Sequence, residues 1–201
     1  RDLVAPLEAD RAETRSNDGR ADPMGGFWIG TMGKKLEPRF GGIYRFYEGR
    51  VELLFPNITV PNAISFTPDG RRAYFADTPR QRIWSVALDP QGWPEGEPEV
   101  FTDLREEGIN PDGAVVDSEG GLWNAQWGAS RIARYLPDGR LDRVIDLPAH
   151  QPTCPSFGGP SLDLLIVTSA WEGLAGRSVA DGQTFALSPG VTGQAEWQIR
   201  L

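Results

Sequence analysis

Four oxygen-bearing residues recur at matching places in otherwise turn-rich, aromatic stretches. Asn17 opens NDGRADPMGGFWIGTMG, and Asn62 stands in PNAISFTPDGRRAYFADT. Asp112 stands in PDGAVVDSEGGLWNAQWG, and Thr153 in PTCPSFGGPSLDLLIVTSA. They are 45, 50 and 41 residues apart. Asn and Asp oxygens are hard donors that suit a divalent cation: calcium, magnesium, manganese, iron(II) or zinc. One carboxylate and one amide do not hold such an ion tightly, so a further acidic ligand is needed. Arg15 lies two residues before Asn17, which puts both on one face of a strand. Its fork of donors suits a carbonyl, a carboxylate or a polyhydroxylated ligand.

Residues so far apart in sequence need a fold that returns the chain to one place at a fixed period. Each segment reads as a polar start, a short strand, a turn rich in Gly, Asp or Pro, and a second strand. The second strands are FWIGTM, AYFAD, LWNAQW and LLIVTSA, and PMGG, PDG and SEGG are hairpin turns. Two further strands follow each of the first three hairpins: 41–49 and 51–58, 82–89 and 98–104, 130–139 and 140–148. A period in the forties with four antiparallel strands per unit predicts an all-β protein, a β-propeller. A β-sandwich with regular turns is the competing architecture, but it gives no reason for polar residues to return at one repeat position. In a propeller the innermost strand of every blade lines the axial channel. Asn17, Asn62, Asp112 and Thr153 are therefore expected at one mouth of it.

The remaining candidates divide by context. Asp69 and Asp138 lie in PDG turns, where a carboxylate bonds to its own backbone, and Asp22 in ADPMGG is similar. Asp18 is either such a turn residue or part of a pocket wall. Trp28, Phe66, Trp84, Leu122, Trp123 and Val167 are expected to pack between blades. Trp127 follows the inner hairpin close to the channel mouth and could wall a pocket there. His150 reads as a loop residue, and Cys154 as a small packed group.

Composition removes several function classes. The formal charge is -8 with no long basic run, so nucleic acid is not an expected partner. One Cys and one His leave no Cys-based zinc site and no multi-histidine centre. No run of eighteen apolar residues exists, so no membrane contact is expected. The chain opens with RDLVAPLEAD, without Met or a signal-peptide pattern, and reads as starting inside a larger protein.

The four motifs together resemble the senescence-marker-protein/gluconolactonase/luciferin-regenerating family, as its bacterial sugar lactonases carry them. The resemblance runs over essentially the whole chain, including the ending GVTGQAEWQIRL. It implies a six-bladed propeller with one divalent cation in the channel. Six blades at this period need roughly 270 residues. Residues 1–201 are thus expected to form one propeller domain lacking its N-terminal blade or blades, with roughly the last four to four and a half present. By motif, Asn62 and Asp112 match metal ligands, and Asp112 also matches the proposed base. Arg15 and Asn17 match substrate-binding residues. The family's third protein ligand is a first-blade Glu that has no counterpart here, since Glu8 and Glu13 stand too close to RSNDG. Animal members place a Glu after GTMG where this chain has Lys35. That change points to a different substrate, such as an acidic or phosphorylated sugar, unless Lys35 is simply solvated.

The activity implied is metal-dependent hydrolysis of a sugar lactone, gluconolactone- or xylonolactone-like, to the aldonic acid. Asp112 would order or deprotonate water, with Arg15, Asn17, Lys35 and Trp127 against the substrate. The missing Glu leaves a second expectation, a non-catalytic propeller that binds a ligand or a metal, and a third, an interaction scaffold. A cytoplasmic location is expected. An open blade edge would favour self-association or a partner chain.

Overall fold

The computed structural model describes residues 3–201. Aromatic and β-branched residues alternate through short segments closed by Gly- and Asp-rich turns, and every such segment is a strand. The first sheet has the order β1 (Thr14–Ala21), β2 (Phe27–Gly33), β3 (Gly41–Tyr47) and β4 (Arg50–Ile58). The second has β5 (Pro61–Phe66), β6 (Arg72–Asp77), β7 (Arg82–Leu88) and β8 (Pro94–Asp103). The third has β9 (Asn110–Val116), β10 (Leu122–Trp127), β11 (Arg131–Tyr135) and β12 (Leu141–Asp146). The fourth is β13 (Gln151–Gly158), β14 (Leu164–Ala170) and β15 (Thr184–Leu187). All pairings are antiparallel. This is a propeller arrangement of four blades.

The fourth blade departs from the expected four strands by having three. The chain leaves that sheet after Leu187 and runs on as a tail beneath the blades. Among the described residues, regular structure other than strand is one 3-10 turn, Thr78–Arg80. No helix there is long and apolar enough to cross a membrane.

Each pair of neighbouring blades encloses its own core. Trp28, Ile43, Phe66, Phe75 and Trp84 pack between the first and second blades. Tyr74, Ile83, Val116, Leu122 and Tyr135 pack between the second and third. Val115, Trp123, Ile132, Phe157 and Val167 pack between the third and fourth. All six residues expected between blades are buried. Because each inner blade is covered on both faces, β5 is buried at every position.

Two blades carry the same internal clamp, built by D-x-x-G-G-x-W. Asp22 Oδ1 accepts the Met24 and Gly26 amides at 2.8 and 2.9 Å, closing the turn expected from sequence. Its Oδ2 also accepts Arg45 Nε at 2.7 Å, and both side chains are fully buried. Arg45 lies opposite Trp28 and sits over the Tyr47 and Trp93 rings. In the third blade Asp117 Oδ1 accepts the Glu119 and Gly121 amides. Its Oδ2 accepts Trp123 Nε1 and Arg134 Nε at 2.8 and 2.7 Å. Asp69 and Asp138, in contrast, hold exposed turns.

Removing one partner of a buried pair strands the other charge in the core. Arg45→Met is expected to lower unfolding free energy by about 3–5 kcal/mol. Arg140→Met, at the exposed Asp138 pair, is expected to leave the urea midpoint unchanged. Comparing the two midpoints checks the distinction.

Candidate functional site

The inner strands β1, β5, β9 and β13 share one irregularity. Asn17 and Asp18 lie between the pairs Ser16–Thr31 and Gly19–Ile29, opposite Gly30 alone. Ala63 and Ile64 face Phe75 alone. Asp112 and Gly113 face Ala125 alone, and Thr153 is the extra residue of β13. These are β-bulges, which break the two-residue alternation and re-aim side chains. Ala63 takes φ 57, a left-handed conformation that is uncommon outside glycine. The bulges let Asn17 and Asp18, neighbours in sequence, both serve the axial side.

The expected mouth residues are joined by hydrogen bonds across three blades. Arg15 Nη1 donates to the Ser16 carbonyl at 2.9 Å and to Asn17 Oδ1 at 3.0 Å. Asn17 Nδ2 donates to the Pro61 carbonyl at 2.9 Å and to Asn62 Oδ1 at 3.1 Å. Asn62 Nδ2 donates to Thr78 Oγ1 at 2.8 Å, and that hydroxyl donates to the Pro111 carbonyl at 2.7 Å. The chain of contacts ends one residue before Asp112. Asn124 Nδ2 then donates to the Asp112 and Gly113 carbonyls at 3.0 and 3.2 Å, fixing the bulge from behind.

The electrostatics centre on two carboxylates. Asp112 is half-buried, and the adjacent Gly113 amide is the one group that favours its charge. Enclosure by protein, and then the charge of Asp18, push its pKa up to about 7. Asp18 accepts the Gly19 and Ile64 amides at 2.8 Å each. Burial still raises its pKa against the pull of those amides and of Arg20. Cys154 shares this region, and its thiol is pushed up to about 12 by burial and by Asp18. It is half-buried and reduced, on the channel side of β13, so its surroundings are more polar than the small packed group expected.

The other candidates occupy the rim. Lys35 follows β2 in an exposed loop where its amide donates to Glu37 Oε2. That loop adjoins the start of β1, because Thr14 pairs with Gly33. Trp127 ends β10 opposite Asn110, half-buried at the same end of the third blade. Thr153 turns to Thr168 Oγ1 at 2.7 Å. His150 is a loop residue, as expected, with Nδ1 3.0 Å from Asp181 Oδ2. Glu8 is held by Tyr44 and Arg11, away from the channel. Sequence reading missed Thr78 and Asn124 and left Asp18 undecided. A signal for Asp18 was present, since a carboxylate directly follows Asn17 at the repeat position.

The donor set fits a hard cation. Asp112 has no cationic partner, and Asn62 Oδ1 lies on the adjoining inner strand. Among the described residues, however, no group of three or more His, Cys, Asp or Glu side chains is placed to hold a metal. A cation at this mouth would therefore find only part of its coordination shell among these side chains.

Fold and site together define a β-propeller with an oxygen-donor site at one mouth of its axial channel. Residues 1–171 match the family model described as SMP-30/Gluconolactonase/LRE-like region. The chain belongs to that family. It is 44% identical to a solved calcium-binding protein, regucalcin, of Agrobacterium tumefaciens, with a TM-score of 0.95 over 99% of this chain and 69% of that one. It is 37% identical to the 6-deoxy-6-sulfogluconolactonase of Pseudomonas putida, over 91% of this chain and 65% of the relative. It is 40% identical to the L-arabinolactonase of Azospirillum brasilense, over 84% of this chain and 56% of the relative. The chain thus spans about half to two thirds of the length of these relatives.

The raised Asp112 pKa fixes the sign of a pH effect. The folded state keeps this proton above the ordinary 3.8, so the stabilisation is complete below that value. It is lost as pH rises through about 7. The urea midpoint of metal-free protein should fall between pH 5 and pH 8, and Asp112→Asn should flatten the fall.

Proposed function

We propose that this chain is the larger part of a sugar lactonase whose complete ring has six blades. Four blades in a chain spanning 69% of a solved relative at TM-score 0.95 support that ring size. The observation that carries the catalytic reading is Asp112. It is a channel carboxylate with a pKa near that of a working base and no counter-charge, at the same mouth as Asn17 and Asn62.

A divalent cation held by Asn62 and Asp112 would supply Lewis-acid polarisation of the lactone carbonyl. Arg15 keeps Nε and Nη2 as spare donors for ring oxygens, while both Asn17 Nδ2 hydrogens are already engaged and its Oδ1 is left to accept from a sugar hydroxyl. Asp112 orders a water molecule and accepts its proton as the water adds to the carbonyl carbon. The ring ester bond then breaks, and the ring oxygen takes the proton from Asp112 and leaves as a hydroxyl group of the aldonic acid, which restores the Asp112 carboxylate. Asn124 holds the Asp112 backbone still during this exchange. Trp127 offers an apolar wall. Lys35 and Arg15 on the same rim favour a lactone with an anionic substituent. One relative named for a sulfonated gluconolactone is consistent with that preference.

Asp112→Asn is expected to reduce lactone hydrolysis by about 10²–10⁴-fold. The assay is proton release from aldonolactones, with the intact mass of the purified protein recorded. Unchanged turnover in that variant would sink the assignment. Chelator should abolish activity, and a divalent cation should restore it. Lys35→Glu should raise KM for an anionic lactone more than for gluconolactone.

A further inference from the structure

The end of the channel opposite the candidate site is covered by the C-terminal tail, which touches all four blades. The Gly193 amide donates to the Leu162 carbonyl at 2.7 Å, and a Cβ on Gly193 would lie 2.2 Å from Phe157 Cβ in the fourth blade. Gly193 also bridges to Asp117, and the Ser118 amide donates to Thr192, both just beyond β9. Gln194 Nε2 donates to the Phe66 carbonyl at the end of β5. The Arg200 amide donates to the Gly25 carbonyl in the turn after β1. Every anchor lies at or near the far end of an inner strand, away from Asn17, Asn62 and Asp112.

Arg20 connects this tail to the site. It belongs to β1, yet its Nη2 donates to the Ala114 carbonyl at 2.9 Å, two blades away. The side chain therefore crosses beneath the two channel carboxylates. Its Nη1 donates to Glu196 Oε1 at 2.7 Å. The side chain is only 15% exposed, although its partner is half exposed. Ala114 lies two residues after Asp112 on the same strand, so this bond ties the bulge that carries Asp112 to the strand that carries Asp18.

We propose that Arg20, clamped by Glu196, is the floor of the axial channel and the positioning residue that holds β9 against β1. In the complete six-bladed ring proposed above, the site is then a blind pocket entered from the Asn17–Asn62 end. The positioning half of this proposal rests on the functional reading above, whereas the floor does not.

Cys154 is the single cysteine and lies among Asp18, Asp112, Arg20 and Glu196, so it reports on the floor directly. Its alkylation by iodoacetamide, followed by intact mass, is compared in wild type, Arg20→Ala, Arg20→Gln, Arg20→Lys and Glu196→Ala. Loss of a nearby cation disfavours the thiolate, so charge alone would slow the reaction in Arg20→Ala. Opening the floor speeds it, and a gain of about tenfold is expected, with Arg20→Lys near wild type. Near-UV circular dichroism and urea midpoints establish that each variant is folded. Glu196→Ala removes an anion that disfavours the thiolate, so its labelling serves as a charge control only. If Arg20→Ala is not folded, Arg20→Gln carries the test with a smaller gain. Wild-type or slower labelling in folded Arg20→Ala or Arg20→Gln overturns the floor.

Calcium titration by calorimetry tests positioning. Removing a positive charge would tighten cation binding if Arg20 acted only as a charge. Weaker binding in Arg20→Ala is expected, and tighter binding overturns positioning. A protein that binds no calcium and turns over no lactone, but shows the labelling gain, would overturn the lactonase reading and leave the floor standing.

Discussion

Everything at the channel mouth depends on how closely the inner strands approach one another. Where β9 meets β13, a Cβ on Gly113 would lie 2.8 Å from both the Thr153 carbonyl oxygen and Cys154 Sγ. Where the first blade meets the second, a Cβ on Gly30 would lie 2.3 Å from the Pro61 ring. At such distances a regular strand has no room to direct two successive side chains toward the axis. The bulge resolves this by spending an extra residue at that point. It also brings Asp18 and Asp112, from blades that are not neighbours, close enough to feel each other's charge. The crowding that closes the blades is therefore what creates the electrostatic tension of the site.

Aspartate shows the contrast best, because the same side chain does opposite work at two depths of the blade. Asp22 and Asp117 are as buried as any group in the molecule, yet each has two amides on one oxygen and an arginine on the other. Their charge is compensated, and the clamp they form fixes the turn between the first two strands. Asp112 has one amide and no cation. Burial without compensation raises a carboxylate pKa, and a group in that condition has something left to bind or a proton to exchange. The blade's strength and its reactivity thus come from one residue type, separated by which partners the backbone brings to it.

Much of this could be read from the chain itself. Strand positions follow from aromatic and β-branched runs between Gly- and Asp-rich turns, and the repeat period gives the blades. The repeat was enough to bring Asn17, Asn62 and Asp112 to one end, although Asn62 pairs regularly one residue before its bulge while Asn17 and Asp112 lie within theirs. What stayed hidden is what depends on three-dimensional proximity between unlike positions. A two-residue alternation sends Asp18 and Asn17 to opposite faces, and only the bulge puts both on the axial side. Arg45 and Arg134 look like ordinary surface cations, because nothing in a linear pattern pairs them with Asp22 and Asp117 across a hairpin. Thr78 sits in a turn after an inner hairpin, where its hydroxyl has no apparent task until the third blade is packed beside it. The three-stranded last blade was also unreadable, since FALSPG could as well have led into a fourth strand.

The division of labour within each blade also bears on substrate choice. The inner strands are fixed by bulges, by close backbone contacts and by the Arg15–Asn17–Asn62–Thr78–Pro111 relay, which ends one residue before Asp112. The rim is built differently. Lys35 is exposed in a loop joined to the strands by backbone and turn contacts, and Trp127 stands at a strand end with part of its ring open. Trp171 and Arg177 stack at 4.1 Å in the loop of the fourth blade, beside a cavity that also includes Glu172 and Ser169. Such positions can change side chain without disturbing an inter-blade core. A propeller of this kind can hold its reacting groups constant at the bulges while the rim is altered to admit another lactone.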